Sequence, residues 1–397
     1  MHLRKNWKTS EDAKTQREDK YTVDIGKLRT FYQGKRVLLT GHTGFKGSWL
    51  CVLLAELGAQ VYGYALEPPS TPSLFEVLFG KGAGNAEKEN LCLNGKTVLA
   101  ASNIADIRDF EALRRFYDSV KPDVVLHLAA QPIVRTSYRI PRETYETNVM
   151  GTVNLLECVR RNPCCKTVLN VTTDKVYRNE ERPGYGYQED DKLDGFDPYS
   201  NSKSCSELVT HSYRSAFLEA AGIAVSTARA GNVIGGGDFA EDRIIPDCVR
   251  AAAAGQEILV RNPYSTRPYQ HVLEPLLVYL MIAAGAQERP ETAGWYNVGP
   301  DDCDCVTTGA LADLFVKHWG SGITWYTPLQ QGGPHEANFL KLDNHKVKDV
   351  FGWRPVWHIE EAVAKTTAWS KAWLRGEEAA NQEMLSQIRE YLLAAAN

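Results

Sequence analysis

The 397-residue chain contains no apolar run approaching the ~20 residues that would span a bilayer, so no membrane helix is expected. Its first stretch, MHLRKNWKTSEDAKTQREDKYTVD, has no apolar core of the kind that opens a secretory signal. Residues 1–33 therefore read as a polar, poorly ordered tail, and the cytoplasm as the location. Charge of one sign is also missing: 45 Lys and Arg stand against 49 Asp and Glu, a net charge of −4, which argues against bulk binding to nucleic acid. The nine cysteines are odd in number and scattered, which excludes a disulfide framework. Neither Cys164/Cys165 nor Cys303/Cys305 has the CxxC or HxxxH spacing of a zinc site, so no metal is expected. Internal repeats and low-complexity blocks are absent as well.

What remains is an ordinary globular composition, large enough for more than one domain. Short apolar runs at 36–40, 60–66, 97–102, 123–130, 167–173 and 224–231 read as strands. Several are continuously apolar, as strands covered on both faces are. Between them, 46–57, 109–119, 142–161 and 199–221 read as helices. This alternation predicts an α/β fold with a doubly wound, mostly parallel sheet. Residues 72–96 break the rhythm and read as a Gly-rich surface loop. The pattern turns irregular after about 232, with one more strand at 295–299. The expected division is a large domain over 34–231 plus about 267–301, and a smaller α/β domain over about 232–266 and 302–397.

GHTGFKG, residues 41–47, lies between the first strand and the first helix. Without a side chain at Gly41 or Gly44, a pyrophosphate can reach the helix N-terminus, where free N–H groups and the dipole favour anions. Gly47 then lets the helix pack close to the sheet. A glycine triad alone also fits a plain tight turn; its place between strand and helix is what favours a dinucleotide. Glu67, 26 residues after Gly41, could accept hydrogen bonds from a ribose and disfavour a 2′-phosphate, or be a solvated loop acid. Asp106 could touch the adenine edge.

DPYSNSK, 197–203, starts a helix, with Asp197 suited to the N-cap and Pro198 to the first helical position. Tyr199 and Lys203 then share one face. A tyrosine beside cations loses its proton more easily and can take one from a sugar hydroxyl. YDSVK, 117–121, matches the same spacing but is read as surface. VTTDKVY, 171–177, ends a strand at the carboxyl edge of the sheet, where such folds bind ligands. Thr173, Asp174 and Lys175 bring a hydroxyl, an acid and an amine there.

Together these motifs, with HLAAQPIVRTSY, TNVMGTVNLLE, ARAGNVIGGGDFAEDRIIPD, RPYQHVLEP and PHEANFLKLD, resemble the extended short-chain dehydrogenase/reductase family over roughly 34–370. Within it they look most like nucleotide-sugar 4,6-dehydratases, and most of all the subgroup acting on CDP-glucose. The resemblance implies a Rossmann domain holding NAD through Gly41, Thr43, Gly44, Phe45, Lys46, Gly47, Glu67, Asp106, Ile107, Leu128, Ala129, Ala130, Asn148, Thr172, Tyr199 and Lys203. It implies a three-step reaction: oxidation at C4 with Tyr199 as base, loss of water across C5 and C6, and return of hydride to C6. The product is a 4-keto-6-deoxy sugar nucleotide. Many relatives carry Thr-Asp-Glu where this chain has Thr173, Asp174 and Lys175. By position Asp174 is the acid, Thr173 holds the 4-oxygen, and Lys175 takes the C5 proton if its amine is neutral. Gln131, Asn232, Arg243, Arg261, Arg267 and His271 are the expected nucleotide-sugar contacts, with His335 and Glu336 assigned to domain packing or the substrate rim. A homo-oligomer, a dimer or dimer of dimers through the helices at 109–119 and 199–221 or their neighbours, is expected. The alternatives are a 4-epimerase or a dehydratase for another nucleotide sugar, and a non-catalytic NAD-binding sensor.

Overall fold

A computed structural model describes residues 23–85, 87–182, 184–320, 322–328 and 339–397. The described residues open with helix α1 (Ile25–Tyr32), then β1 (Arg36–Thr40), α2 (Phe45–Glu56), β2 (Gln60–Ala65), α3 (Leu74–Phe79), β3 (Lys88–Leu93) and β4 (Lys96–Ile104). Next come α4 (Phe110–Val120), β5 (Val124–His127), α5 (Val134–Arg139) and α6 (Pro141–Tyr145). A π-turn (Glu146–Met150) joins α6 to α7 (Gly151–Arg161), and β6 (Thr167–Thr173), α8 (Pro198–Tyr213) and β7 (Ala224–Ala230) follow. The rest comprises β8 (Asn232–Ile234), α9 (Ile244–Ala253), β9 (Ile258–Leu259), β10 (Thr266–His271), α10 (Leu273–Glu288) and β11 (Trp295–Val298). It ends with β12 (Cys305–Thr307), α11 (Thr308–Trp319), β13 (Trp325–Tyr326), α12 (His345–Phe351), α13 (Ile359–Arg375) and α14 (Glu377–Ala395).

Eight strands form one sheet in the order β11-β7-β6-β5-β1-β2-β4-β3, parallel throughout except for the β3–β4 edge. The two-residue strand period sends Val37 and Leu39 to one face, with α2 and α10, and Leu38 to the other, with α4 and α7. Both faces are covered, which is why these strands are apolar without alternation. The fold is thus the doubly wound α/β architecture expected. A three-stranded sheet, β12-β10-β8, and a two-stranded one, β13-β9, lie outside it.

Three expectations are corrected. Residues 72–96 are not a loop: Ser73 caps α3, accepting from the Glu76 N–H at 3.2 Å, and β3 adds an antiparallel edge strand. Asn94 and Gly95, both at positive φ, make the turn into β4. Residues 25–32, assigned to the tail, form α1; Leu28 and Tyr32 are buried, and the Tyr32 hydroxyl donates to the Leu280 carbonyl at 2.9 Å. Residues 267–271, grouped with the large domain, pair in the small sheet as β10. Residues 1–22, His335 and Glu336 lie outside the described residues.

Candidate active site

The glycine turn closes on itself. Gly41 has φ +78°, and a Cβ there would sit 2.8 Å from the Ala129 nitrogen. A Cβ on Gly47 would fall 2.1 Å from the Gly41 carbonyl oxygen. Gly41 is therefore needed for the approach of β1 to the loop after β5, rather than to leave room for a ligand. Gly44 is the N-cap of α2 and supplies no side-chain cap, so the N–H groups of Phe45, Lys46 and Gly47 open the helix without intrahelical acceptors. That is the cradle a diphosphate fits. Thr43 closes the flank by donating to the Leu66 carbonyl at 2.9 Å. Glu67 stands exposed two residues beyond β2, at the carboxyl edge of the sheet.

The neighbouring loops are tied to this turn. Thr40 Oγ1 accepts from the N–H groups of Leu128 and Ala129, both at 3.2 Å. Ala130 continues that loop. Asn148, in the π-turn, accepts from the Gln131 N–H at 2.8 Å and donates to the Gln131 carbonyl and, at 2.9 Å, to Ser202 on α8. It braces the loop against the helix that carries Tyr199. Ile107 packs under Gly151, where a Cβ would meet its Cγ2 at 2.6 Å. Asp106 holds Arg108; burial pushes its carboxyl up, but hydrogen bonds from Arg108 outweigh this and hold it below the usual range.

On α8 the Asp197 carboxylate caps the helix, accepting from the Ser200 N–H at 3.0 Å, and Pro198 takes the first position. Tyr199 and Lys203 are both buried on one face. The Lys203 ammonium donates to the Val171 carbonyl at 3.0 Å. Burial lowers it to about 8, against the pull of Glu207. Burial also pushes the Tyr199 phenol up to about 12; Asp174 adds to this, while a hydrogen bond with Thr173 and the charge of Arg243 oppose it. The look-alike pair separates: Tyr117 is core, donating to the Asn162 carbonyl at 3.2 Å, and Lys121 is an exposed left-handed C-cap.

Asp174 is the most unusual group. Its Oδ1 accepts from Thr173 Oγ1 at 3.0 Å, and its buried Oδ2 has no partner among the described residues. Burial raises the carboxyl above its ordinary value, while the charges of Lys175 and Arg267 oppose this. A buried carboxyl that holds a proton more readily than usual, with one oxygen unengaged, is suited to acting as a general acid. Lys175 is half-buried beside it.

Several expected contacts go elsewhere. Thr172 faces the other side of β6, where its hydroxyl bonds Glu207, so its side chain cannot serve the cofactor. His271 is fully buried, edge-on to Trp49 and Trp357, and serves the core rather than the substrate. Gln131 spends its amide on Thr144 and the Ile133 N–H. Arg261 is paired with Asp242 at 3.1 Å and Asp247 at 3.6 Å. Arg267 is buried and its charge is felt by Asp174. Asn232 is half-buried on β8, opposite Tyr269. Arg243 bonds Asp238 at 3.0 Å, close enough to act on both Tyr199 and Lys46. Two partners went unanticipated. Glu207, four residues after Lys203, forms a buried pair with Arg229 at 2.9 Å. Tyr279 on α10 faces the Lys46 amine, and nothing local joins residues so far apart.

The sequence profile of the family described as GDP-mannose 4,6 dehydratase matches residues 38–366. The chain belongs to that family. It is 47% identical over 357 residues to a CDP-glucose 4,6-dehydratase of Salmonella typhimurium, covering 88% of this chain and 94% of that protein. Solved structures share the family fold. A dTDP-glucose 4,6-dehydratase from Bacillus anthracis, in complex with NAD, superposes with a TM-score of 0.68 at 20% identity, covering 85% of this chain and 97% of that one. A UDP-glucose 4-epimerase from Thermotoga maritima superposes with a TM-score of 0.69 at 22% identity, covering 85% and 99%.

Proposed function

We propose that this chain dehydrates CDP-glucose to the 4-keto-6-deoxy sugar nucleotide, with NAD as a cofactor that ends each cycle as it began. The buried Asp174 carboxyl with its unengaged oxygen, beside Thr173 and Tyr199, is the observation that carries this reading. An epimerase needs no acid for elimination, and a sensor needs no buried Tyr–Lys pair. The 47% identity to a protein named for CDP-glucose supports the choice of base.

NAD, when bound, would supply the hydride acceptor for the oxidation at C4 and, once reduced, the hydride donor for C6. Gly44, Phe45, Lys46 and Gly47 would hold its diphosphate at the open end of α2, and Glu67 its ribose. Tyr199 takes the proton from the 4-hydroxyl, with Thr173 steering that oxygen. Lys203 supplies the cation that makes this transfer cheaper. Once C4 is a ketone, the C5 hydrogen is acidic; Lys175 takes it if its amine is neutral, and Asp174 protonates the departing 6-hydroxyl. Arg267 and Arg243 bind the nucleotide diphosphate, with Asn232 beside them. The 34–231 segment with its later strand would carry the cofactor, and the two small sheets the sugar nucleotide. A homo-oligomer would form on the face of α8 and the π-helical turn after it (Arg214–Leu218), where Leu208 and Phe217 are exposed. No described helix is long and apolar enough to cross a membrane, and a cytoplasmic location belongs to the same reading.

The test is incubation of the purified protein with CDP-glucose and separately with UDP, dTDP and GDP sugars, followed by mass spectrometry. Loss of water from CDP-glucose alone, without net NADH, is expected. Dehydration of another sugar nucleotide would discard the substrate; unchanged mass with inverted sugar configuration would replace the reaction by epimerisation.

A further inference from the structure

Lys46 is the second residue of α2, between the two glycines that shape the turn. Lys46 is half-buried, its amine 3.5 Å from the Tyr279 hydroxyl and 5.7 Å from the centre of that ring. No carboxylate stands within ion-pair distance of it among the described residues. The charges that act on it are Arg243 and Lys203, which repel it, and Asp174, which attracts it. Arg243 is itself paired with Asp238, and Lys203 is bonded to the Val171 carbonyl. Tyr279 is in turn sensitive to Tyr199. An ammonium without a counter-ion below the surface is costly and is kept where it acts on something.

Its position says on what. On one side is the N-terminus of α2, which takes the diphosphate; on the other are Tyr199 and Lys203, where the sugar is oxidised. The nicotinamide end of the cofactor has to lie between the two. Oxidised nicotinamide is a cation and reduced nicotinamide is neutral, so a fixed positive charge beside the ring repels only the oxidised form. We propose that Lys46 biases the bound cofactor toward its reduced form, and so holds the hydride in place while water is eliminated. This rests on the assignment of Tyr199 and Lys203 to the oxidation step.

Burial lowers the Lys46 amine to about 7, with Arg243 and Lys203 adding to the shift and Asp174 opposing it. The bias is therefore present below about pH 7 and fades above it, as the amine loses its charge. Burial pushes the Tyr279 phenol up, well away from that range.

The test is the ratio of the dissociation constants of NAD and NADH, measured by calorimetry on the full-length protein, on either side of about pH 7. In Lys46→Met, NAD affinity relative to NADH should rise about tenfold below that pH, a few ångströms from a partly buried charge. Lys46→Arg should keep the low-pH wild-type ratio on both sides, because a guanidinium does not lose its charge above pH 7. An unchanged ratio in Lys46→Met overturns the proposal. So does a loss of CDP binding in Lys46→Met with no change in the ratio, which would make the amine a phosphate ligand. A wild-type protein that binds neither cofactor would instead overturn the NAD assignment, whereas Tyr199→Phe, which should still bind both, isolates the oxidation step.

Discussion

The Glu207–Arg229 pair sits directly behind the catalytic strands. Both side chains are essentially inaccessible, and the Arg229 Nη2 donates to Glu207 Oε2 at 2.9 Å. Glu207 also accepts from Thr227 at 2.7 Å and from Thr172, so one carboxylate pins α8 to β6 and β7. Arg229 reaches on to the Tyr177 hydroxyl and the Glu189 carbonyl, both at 2.8 Å. Glu207→Ala leaves a buried guanidinium unpaired, and the expected cost is about 3–5 kcal/mol. Replacing both, Glu207→Met with Arg229→Met, removes the charge as well as its partner and should recover roughly half of that loss or more. Burial pushes the Glu207 carboxyl up, but the charge of Arg229 and the hydrogen bonds from His211, Arg229 and Thr172 together outweigh it and leave about 2, against an ordinary 4.5. Its contribution is therefore full above pH 4.5 and is lost as pH falls toward 2. Urea unfolding followed by circular dichroism, at neutral pH and again below pH 4, measures both effects. A loss of under about 1 kcal/mol in Glu207→Ala would refute the reasoning, as would a double variant no better than the single one.

Asp174→Asn should leave oxidation at C4 intact and slow elimination by about 10²–10⁴-fold, so reduced cofactor accumulates on the enzyme after CDP-glucose is added; absorbance in a single turnover checks this. Gly47→Ala drives a methyl into the Gly41 carbonyl and should abolish NAD binding, read by calorimetry, together with a lower unfolding temperature. Lys46→Met should raise the unfolding midpoint at neutral pH, because the wild-type amine is held below its ordinary 10.5, at about 7. The wild type regains stability as pH rises from 7 toward 10.5, so the advantage of the variant should shrink over that range.

Local signals in the chain were enough for much of the fold. The apolar runs at 36–40 and 167–173 are the strands β1 and β6 to the residue, because two-sided burial makes such runs unmistakable. Asp197 and Pro198 fixed the start of α8, and with it the shared face of Tyr199 and Lys203, by capping chemistry alone. The edge hairpin was also written there, in the Asn94–Gly95 turn, but its polar, half-exposed strand hid it. Thr172 could have been set apart from Thr173 by strand alternation, which puts neighbours on opposite faces.

The sequence by itself determined the alternation of elements, the glycine turn and the Tyr–Lys and Thr-Asp-Lys motifs, because each rests on contacts within a few residues. Only the tertiary structure decided which cations gather there. Lys46 meets Tyr279 across 233 positions, Arg243 comes to act on Tyr199, and His271 is withdrawn between two tryptophans. Those placements depend on how helices and loops from distant parts of the chain pack at the sheet edge. No local periodicity or cap encodes that packing.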